Sequence, residues 1–340
     1  MHLDVVIPTH NRALMLRRTL DSLLAALPDD DLSVRVTVVD NNSTDDTHST
    51  VQSYAPAFGG RLAYLFESRQ GRSFALNAGI TSTSGDLIGM IDDDEQIDPN
   101  WYRTIRSQFA RADIDFIGGP YVPNWGADPP NWLPLNCLGA IGVVDGGSQV
   151  RTYDASYPGI LMGGNAVISR TMLQRVGLYN TSLGRTGRRL LSGEDDEMYY
   201  RLLGGGGRGL YVPNLIIYHY IPPERLKRSY FRRWCFWRGV SEGLIDRTGR
   251  PSVACLGGIP RYLYGDALRG LFGVTLGRIK NLREPAEVFA KELEIWNAVG
   301  VFYGRHFYSA ANQSVSEKRL NSSMHGDSGF SNQKSMTTSD

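Results

Sequence analysis

The stretch LIGMIDDDEQIDPNW, Leu87–Trp101, is a short apolar run that ends in three consecutive aspartates, Asp92, Asp93 and Asp94. About five apolar residues suit a buried sheet strand, and charge at its carboxyl end sits where open α/β sheets place their ligand crevice. Three carboxylates so close together repel one another unless a cation or ordered water comes between them. Hard oxygen ligands suit Mg²⁺ or Mn²⁺, ions that keep positions open for phosphate oxygens. A solvated acidic turn would look the same in isolation, so the rest of the chain has to decide.

On the N-terminal side of that stretch, short β-branched runs alternate with helical patterns. Leu3–Pro8 reads as strand, Ala13–Leu27 as helix and Val34–Asp40 as strand; a helix follows Asp45, a strand covers Leu62–Glu67, and a helix starts near Ser73. Such alternation predicts a mostly parallel central sheet flanked by helices. Its carboxyl edge would gather Thr9, Asn11, Arg12, Asp40, Asn42 and the aspartate triplet into one crevice.

On the C-terminal side the character changes twice. Pro120–Tyr157, rich in Pro, Trp and Asn, reads as a long binding loop in which Trp125 and Trp132 either stack on sugar rings or cap the core. Beyond Leu215 the chain turns basic and aromatic, in Glu224–Gly239 and again in Ile259–Lys280, which reads as amphipathic helix. That composition fits an anionic membrane surface, a basic channel for a phosphorylated ligand, or a helical bundle with a solvated basic face. Ser309 onward is polar and reads as a disordered tail.

The 340 residues can bury a substantial core, and 36 basic against 35 acidic residues leave no global field that would favour nucleic acid. Cys137, Cys235 and Cys255 lack metal-ligand spacing and fit a reducing compartment. A strand within the first few residues leaves no room for a signal peptide, and no window of about eighteen apolar residues suggests a transmembrane helix. The expected location is therefore cytoplasmic, with peripheral contact at the inner face of the membrane.

Four segments in this order carry a resemblance: VVIPTHNR (Val5–Arg12), VTVVDNNSTDDT (Val36–Thr47), the IDDDE segment, and GEDDEMYYRL (Gly193–Leu202). Together they resemble the inverting nucleotide-sugar glycosyltransferases of family 2, with the GT-A fold, over roughly residues 1–240. The resemblance implies a catalytic domain over 1–240; composition adds a helical basic amphipathic extension over 241–308 and a disordered tail over 309–340.

It also implies roles. Pro8, Thr9, Asn11, Arg12 and Asp40 stand where the family holds the nucleotide, and Arg72, behind Gly71, where it reaches the base or phosphates. Asn77 is either a nucleotide contact or structural. IDDDE looks like the family's DxD element, with Asp94 favoured as ligand of Mg²⁺ or Mn²⁺ and Asp92 and Asp93 left for ribose, sugar or water. GEDDE looks like the segment that supplies the catalytic base, with Asp195 the matching residue and Asp196 its competitor. Flanking Glu194, Asp196 and Glu197 are expected to raise the proton affinity of Asp195, although an acidic helix N-terminus with Glu197 paired to Arg201 would read alike. Gly164 and Asn165 fall on the acceptor side, with Trp125 and Trp132, and His219 on the metal or the diphosphate.

YFRRW (Tyr230–Trp234) is similar to the QxxRW element of processive members but has Tyr for Gln, which implies single addition; Arg232, Arg233 and Arg238 remain candidates for the diphosphate. The expected activity is transfer of a sugar from a nucleotide-diphosphate sugar to a sugar or lipid-linked acceptor, in cell-surface polysaccharide or glycolipid assembly. The alternative is a catalytically silent nucleotide-sugar-binding or membrane-scaffold protein. A dinucleotide oxidoreductase is disfavoured because no GxGxxG follows the first strand, and a nucleotidyltransferase because the basic glycine-rich N-terminal loop is missing.

Overall fold

The computed structural model describes residues 1–28, 32–111, 113–154, 156–185, 190–247, 255–256, 259–261, 264–265, 268–269 and 285–308. Its core is a mixed sheet of eight strands in the order β3-β2-β1-β4-β9-β6-β10-β8. The strands are β1 (His2–Thr9), β2 (Ser33–Asp40), β3 (Leu62–Phe66), β4 (Leu87–Met90), β6 (Phe116–Gly118), β8 (Arg151–Tyr153), β9 (Ala166–Ser169) and β10 (Gly209–Tyr211). The first four run parallel, and the sheet turns mixed where β9 enters antiparallel between β4 and β6. Strand β1 is buried along nearly its whole length, which is why Val5–Pro8 is apolar without alternation, and the buried Asp4 is held by the Ser84 and Gly85 N–H groups.

Helices cover both faces. On one lie α1 (Ala13–Ala25), α2 (Thr47–Tyr54) and α4 (Trp101–Arg111), closing a core that includes Leu16, Leu20, Val51, Trp101 and Ile105. On the other lie α3 (Arg72–Ser82), α5 (Arg170–Val176) and α6 (Glu194–Gly204), around Leu76, Met90, Met172 and Met198. From β1 the chain moves outward to β2 and β3, then returns to the opposite flank of β1 as β4. The carboxyl ends of β1 and β4 therefore flank a topological switch point, where the helical connections diverge and leave a crevice.

A second sheet of three strands, in the order β5-β11-β7, stands beside the first: β5 (Glu95–Ile97), β7 (Tyr121–Trp125) and β11 (Ile217–Ile221). Its register sets His219 opposite Glu95, and Tyr220 N–H donates to the Asp94 carbonyl at 2.9 Å. The segment read as one long loop thus contains β7, a 3₁₀ turn over Leu135–Ile141 and β8. Pairing with β11 and β10 organises residues that show no periodicity of their own.

The C-terminal region is dominated by α7 (Arg228–Arg247) and α8 (Pro285–His306), packed along each other. Helix α7 runs through residue 240 without interruption, so the expected domain boundary falls inside it. Ile259, expected to begin a helix, lies instead in a two-residue strand, β13 (Ile259–Pro260), paired with β12 (Cys255–Leu256). Most of the second basic segment, up to Lys280, and the tail from Ser309 lie outside the described residues.

Candidate active site

Four elements bring charge to the crevice. The aspartate triplet follows β4, the Thr9–Arg12 loop follows β1, Arg72 opens α3, and Glu194 and Asp195 open α6. The three aspartates separate by environment. Asp93 is buried, accepting from Thr9 Oγ1 at 2.8 Å and from Arg12 at 2.9 Å. Burial, with the Asp94 charge beside it, pushes its carboxyl up to about 6 despite Arg12. Asp94 accepts from Arg12 and from Arg225, each at 3.0 Å, and has His219 Nε2 3.6 Å away. Burial works against ionisation there, yet the positive charge of Arg225 and Arg12 holds its carboxyl well below the usual range. Asp92 is the most open of the three, its side chain a third exposed.

Arg72 joins this cluster to the other acidic segment. Its Nε donates to Asp92 at 3.0 Å, and one terminal nitrogen donates to Asp195 at 3.1 Å and to Glu194 at 3.2 Å. Two motifs a hundred residues apart in the chain thus meet on one buried guanidinium, which stays firmly protonated despite its burial because three carboxylates surround it. Glu194 is buried, and burial together with the Asp195 charge pushes its carboxyl up to about 7, against the pull of Arg72. Asp195 keeps 17% of its side chain accessible, so it is the carboxylate of this pair that a substrate can reach. Glu197 is turned aside and pairs with Arg201 at 2.7 Å one turn along α6.

The loops around the cluster are knitted to hold it. Asn11, with φ of 53°, accepts from Thr44 N–H and donates its own N–H to Ser43 Oγ. Asp40 is buried at the end of β2, where Ser43 N–H and Tyr64 OH each donate to it at 2.8 Å. Pro8 is a buried strand residue paired with Val39. Asn41 was not singled out from the sequence, yet its amide binds Glu67 O, Arg69 O and Gly71 N–H and so fixes the turn that presents Arg72. Asn77 forms two hydrogen bonds with the Tyr179 backbone, a structural use.

On the expected acceptor side the residues divide. A side chain at Gly163 would overlap the Asp195 carboxylate, and one at Gly164 the Glu95 carboxylate. These glycines exist to let the acidic groups approach the backbone. Asn165 is fully buried, accepting from Trp101 Nε1 at 2.9 Å and donating to Leu215 O and Pro120 O, so its side chain ties the two sheets together. Trp132 packs edge-on against Phe231 and Phe289, and Trp125 lies against the same cluster.

Arg232 is bound to Glu292 on α8 at 2.6 Å, and Arg238 to Glu242 at 2.9 Å. Arg225, in the 3₁₀ turn Pro223–Leu226 after β11, enters the crevice and reaches Asp94. Its one sequence signal is position: a basic residue just beyond the strand that carries His219. Among the described residues, no three His, Cys, Asp or Glu side chains converge as a metal-ligand set.

Comparison with known proteins points one way. The profile of Glycosyl transferase family 2 matches residues 4–177. Succinoglycan biosynthesis protein ExoM of Rhizobium meliloti (strain 1021) is 22% identical over 246 residues, covering 72% of this chain and 75% of that protein. Glucosyl-dolichyl phosphate glucuronosyltransferase of Haloferax volcanii is 26% identical over 219 residues, covering 62% of this chain and 66% of that protein. Among solved structures, mannosyltransferase PcManGT from Pyrobaculum calidifontis, in complex with GDP-Man and Mn²⁺, superposes with a TM-score of 0.57 at 17% identity, covering 90% of this chain and 88% of that one. At that identity the likeness is one of fold.

Proposed function

The chain belongs to glycosyl transferase family 2, and from that membership we propose that it transfers one sugar, with inversion, from a nucleotide-diphosphate sugar to an acceptor hydroxyl. The observation that carries the reading is the Arg72 bridge, because it puts the acidic cluster after β4 and Asp195 on two sides of one crevice. A donor bound at the first and an acceptor presented to the second would meet between them.

Asp94 and His219 fit a divalent cation. One carboxylate oxygen and one imidazole nitrogen face each other 3.6 Å apart, a donor pair suited to Mn²⁺ or Mg²⁺ when diphosphate oxygens and water supply the other positions. A bound cation would stabilise the charge that develops on the leaving diphosphate.

The remaining work falls to side chains. Asp195 accepts the proton of the attacking hydroxyl, with Arg72 fixing one of its oxygens so that the carboxylate stays aimed across the crevice. Arg72 is a positioning residue in this scheme, and Glu194, buried behind it, keeps the guanidinium from turning away. Asp92, the open member of the triplet, contacts the donor, whereas Asp93 anchors Arg12 and Thr9 beneath it.

The acceptor is proposed to be a growing glycan or glycolipid, as the name of ExoM and the dolichyl phosphate in the name of the Haloferax relative suggest for those proteins. No described helix is long and apolar enough to cross a membrane. Helix α8 nevertheless leaves Trp296, Val299, Phe302 and Tyr303 exposed, with Phe307 just beyond its end, and this supports peripheral contact with the cytoplasmic membrane face.

A nucleotide-release assay against UDP-, GDP- and dTDP-sugars, with Mn²⁺, with Mg²⁺ and with chelator, tests the reading without a known acceptor. Metal-dependent release from one donor, abolished in Asp94→Ala, is the expected outcome. Undiminished release in chelator would sink the metal assignment.

A further inference from the structure

We infer that Arg225 makes cation binding in this crevice conditional on the donor's diphosphate. The inference rests on the reading of Asp94 and His219 as the cation-holding pair, and it gives a role to an arginine that no motif marks.

Arg225 is buried, and its two terminal nitrogens divide between the two groups in question: one lies 3.0 Å from His219 Nε2, the other 3.0 Å from Asp94 Oδ2. A guanidinium has donors only, so His219 must offer it the Nε2 lone pair. The proton of a neutral ring then sits on Nδ1, which is buried and has no hydrogen-bond partner among the described residues. Nδ1 faces Gly142, where a Cβ would come within 2.7 Å of it. Arg225 thus occupies the Nε2 lone pair and one oxygen of the carboxylate, Oδ2, while the other oxygen, Oδ1, lies 3.6 Å from the same nitrogen. Arg12 adds a second positive charge on Asp94 Oδ2.

Two protein ligands already engaged by two guanidinium groups form a poor site for a hydrated cation, which would meet like charge and gain few ligands. A nucleoside diphosphate reverses each term: its negative charge offsets the crowding, its oxygens complete the coordination, and it offers Arg225 a planar, bidentate acceptor in exchange for Asp94 and His219. Arg225 accordingly moves from the carboxylate–imidazole pair to the diphosphate as the cation enters. Because such coupling is reciprocal, the cation tightens the nucleotide by the same factor that the nucleotide tightens the cation.

The test is titration of the full chain with Mn²⁺, followed by the electron paramagnetic resonance signal of the free ion, alone and with UDP, GDP or dTDP. Wild type should bind Mn²⁺ weakly alone and about tenfold or more tighter with one of these nucleotides. Arg225→Gln should bind Mn²⁺ alone more tightly than wild type and lose most of the coupling. Arg225→Lys retains a charge without the double bridge, falls between the two, and answers the question if the glutamine variant does not fold. Equal Mn²⁺ affinity of wild type with and without every nucleotide, or full coupling retained in both variants, overturns the inference while leaving Asp94 and His219 as ligands. Absence of Mn²⁺ binding by wild type under every condition, or tight binding retained in Asp94→Asn, overturns the cation reading itself and the inference with it.

Discussion

Among four consecutive acidic residues at the start of α6, burial and pairing decide which can do chemistry. Glu197 is spent on Arg201, Glu194 is enclosed and Asp196 feels the charge of Arg238, whereas Asp195 is accessible and oriented by Arg72. Asp195→Asn should lower turnover by about 10²–10⁴-fold, the usual worth of a general base, while calorimetry finds nucleotide affinity within about twofold of wild type. Burial and the Asp195 charge beside it raise the Glu194 carboxyl from an ordinary 4.5 to about 7. Between those values the folded chain keeps a proton that the unfolded chain has released, so this group's stabilising contribution is present at acid pH and is lost as pH rises towards neutrality. Melting curves should therefore show Glu194→Gln gaining several degrees relative to wild type between pH 5 and pH 8; a constant difference would mean that Glu194 titrates as an ordinary carboxylate. Residue types and their order along the chain made Asp94, Asp195, Arg12 and Arg72 legible. Which aspartate of a triplet turns inward was not, because that depends on the packing of Thr9 and Arg12 against the end of β4.

The parallel strands β1 to β4 and their helices could be read from the sequence because each has its own periodicity and end signals. The small sheet could not. β5, β7 and β11 exist through pairing with one another, and the β5–β11 pair brings His219 and Asp94 together from residues more than a hundred positions apart. Helix over Glu224–Gly239 was legible, but its crossing with α8 was not, for the closest approach of the two backbones is made at glycines. Side chains at Gly239 and Gly243 would strike the α8 backbone at Asn297 and Val301, and side chains at Gly300 and Gly304 the α7 backbone at Phe236 and Val240. Two G-x-x-x-G segments thus face each other, and backbone packs on backbone. Gly300→Val should force the helices apart and cost about 1–3 kcal/mol by chemical denaturation, more than the same change at Gly204, where no neighbour lies within 4 Å. Equal costs at the two positions would show that the crossing is not close-packed in solution. Because α7 passes through residue 240 and holds α8, we propose that both helices belong to the catalytic unit and are not a separable extension.

Across the whole molecule, near-neutral net charge conceals a local division, with acidic groups and their arginines in the crevice and aromatic side chains on the outer face of α8. If that face meets the membrane, cosedimentation with anionic vesicles should fall on changing Trp296, Phe302 and Phe307 together to Ser, while donor hydrolysis in solution stays near the wild-type rate. Binding to vesicles that survives the triple change would show that α8 does not make the contact. We propose that a carboxylate on one side of the crevice and a diphosphate site on the other enforce attack from opposite faces of the sugar. The anomeric configuration of the sugar first released when the preferred donor is hydrolysed, followed by proton NMR before mutarotation, tests this most directly. An α-linked nucleotide sugar should give the β-anomer first; release of the α-anomer would contradict single displacement assisted by Asp195.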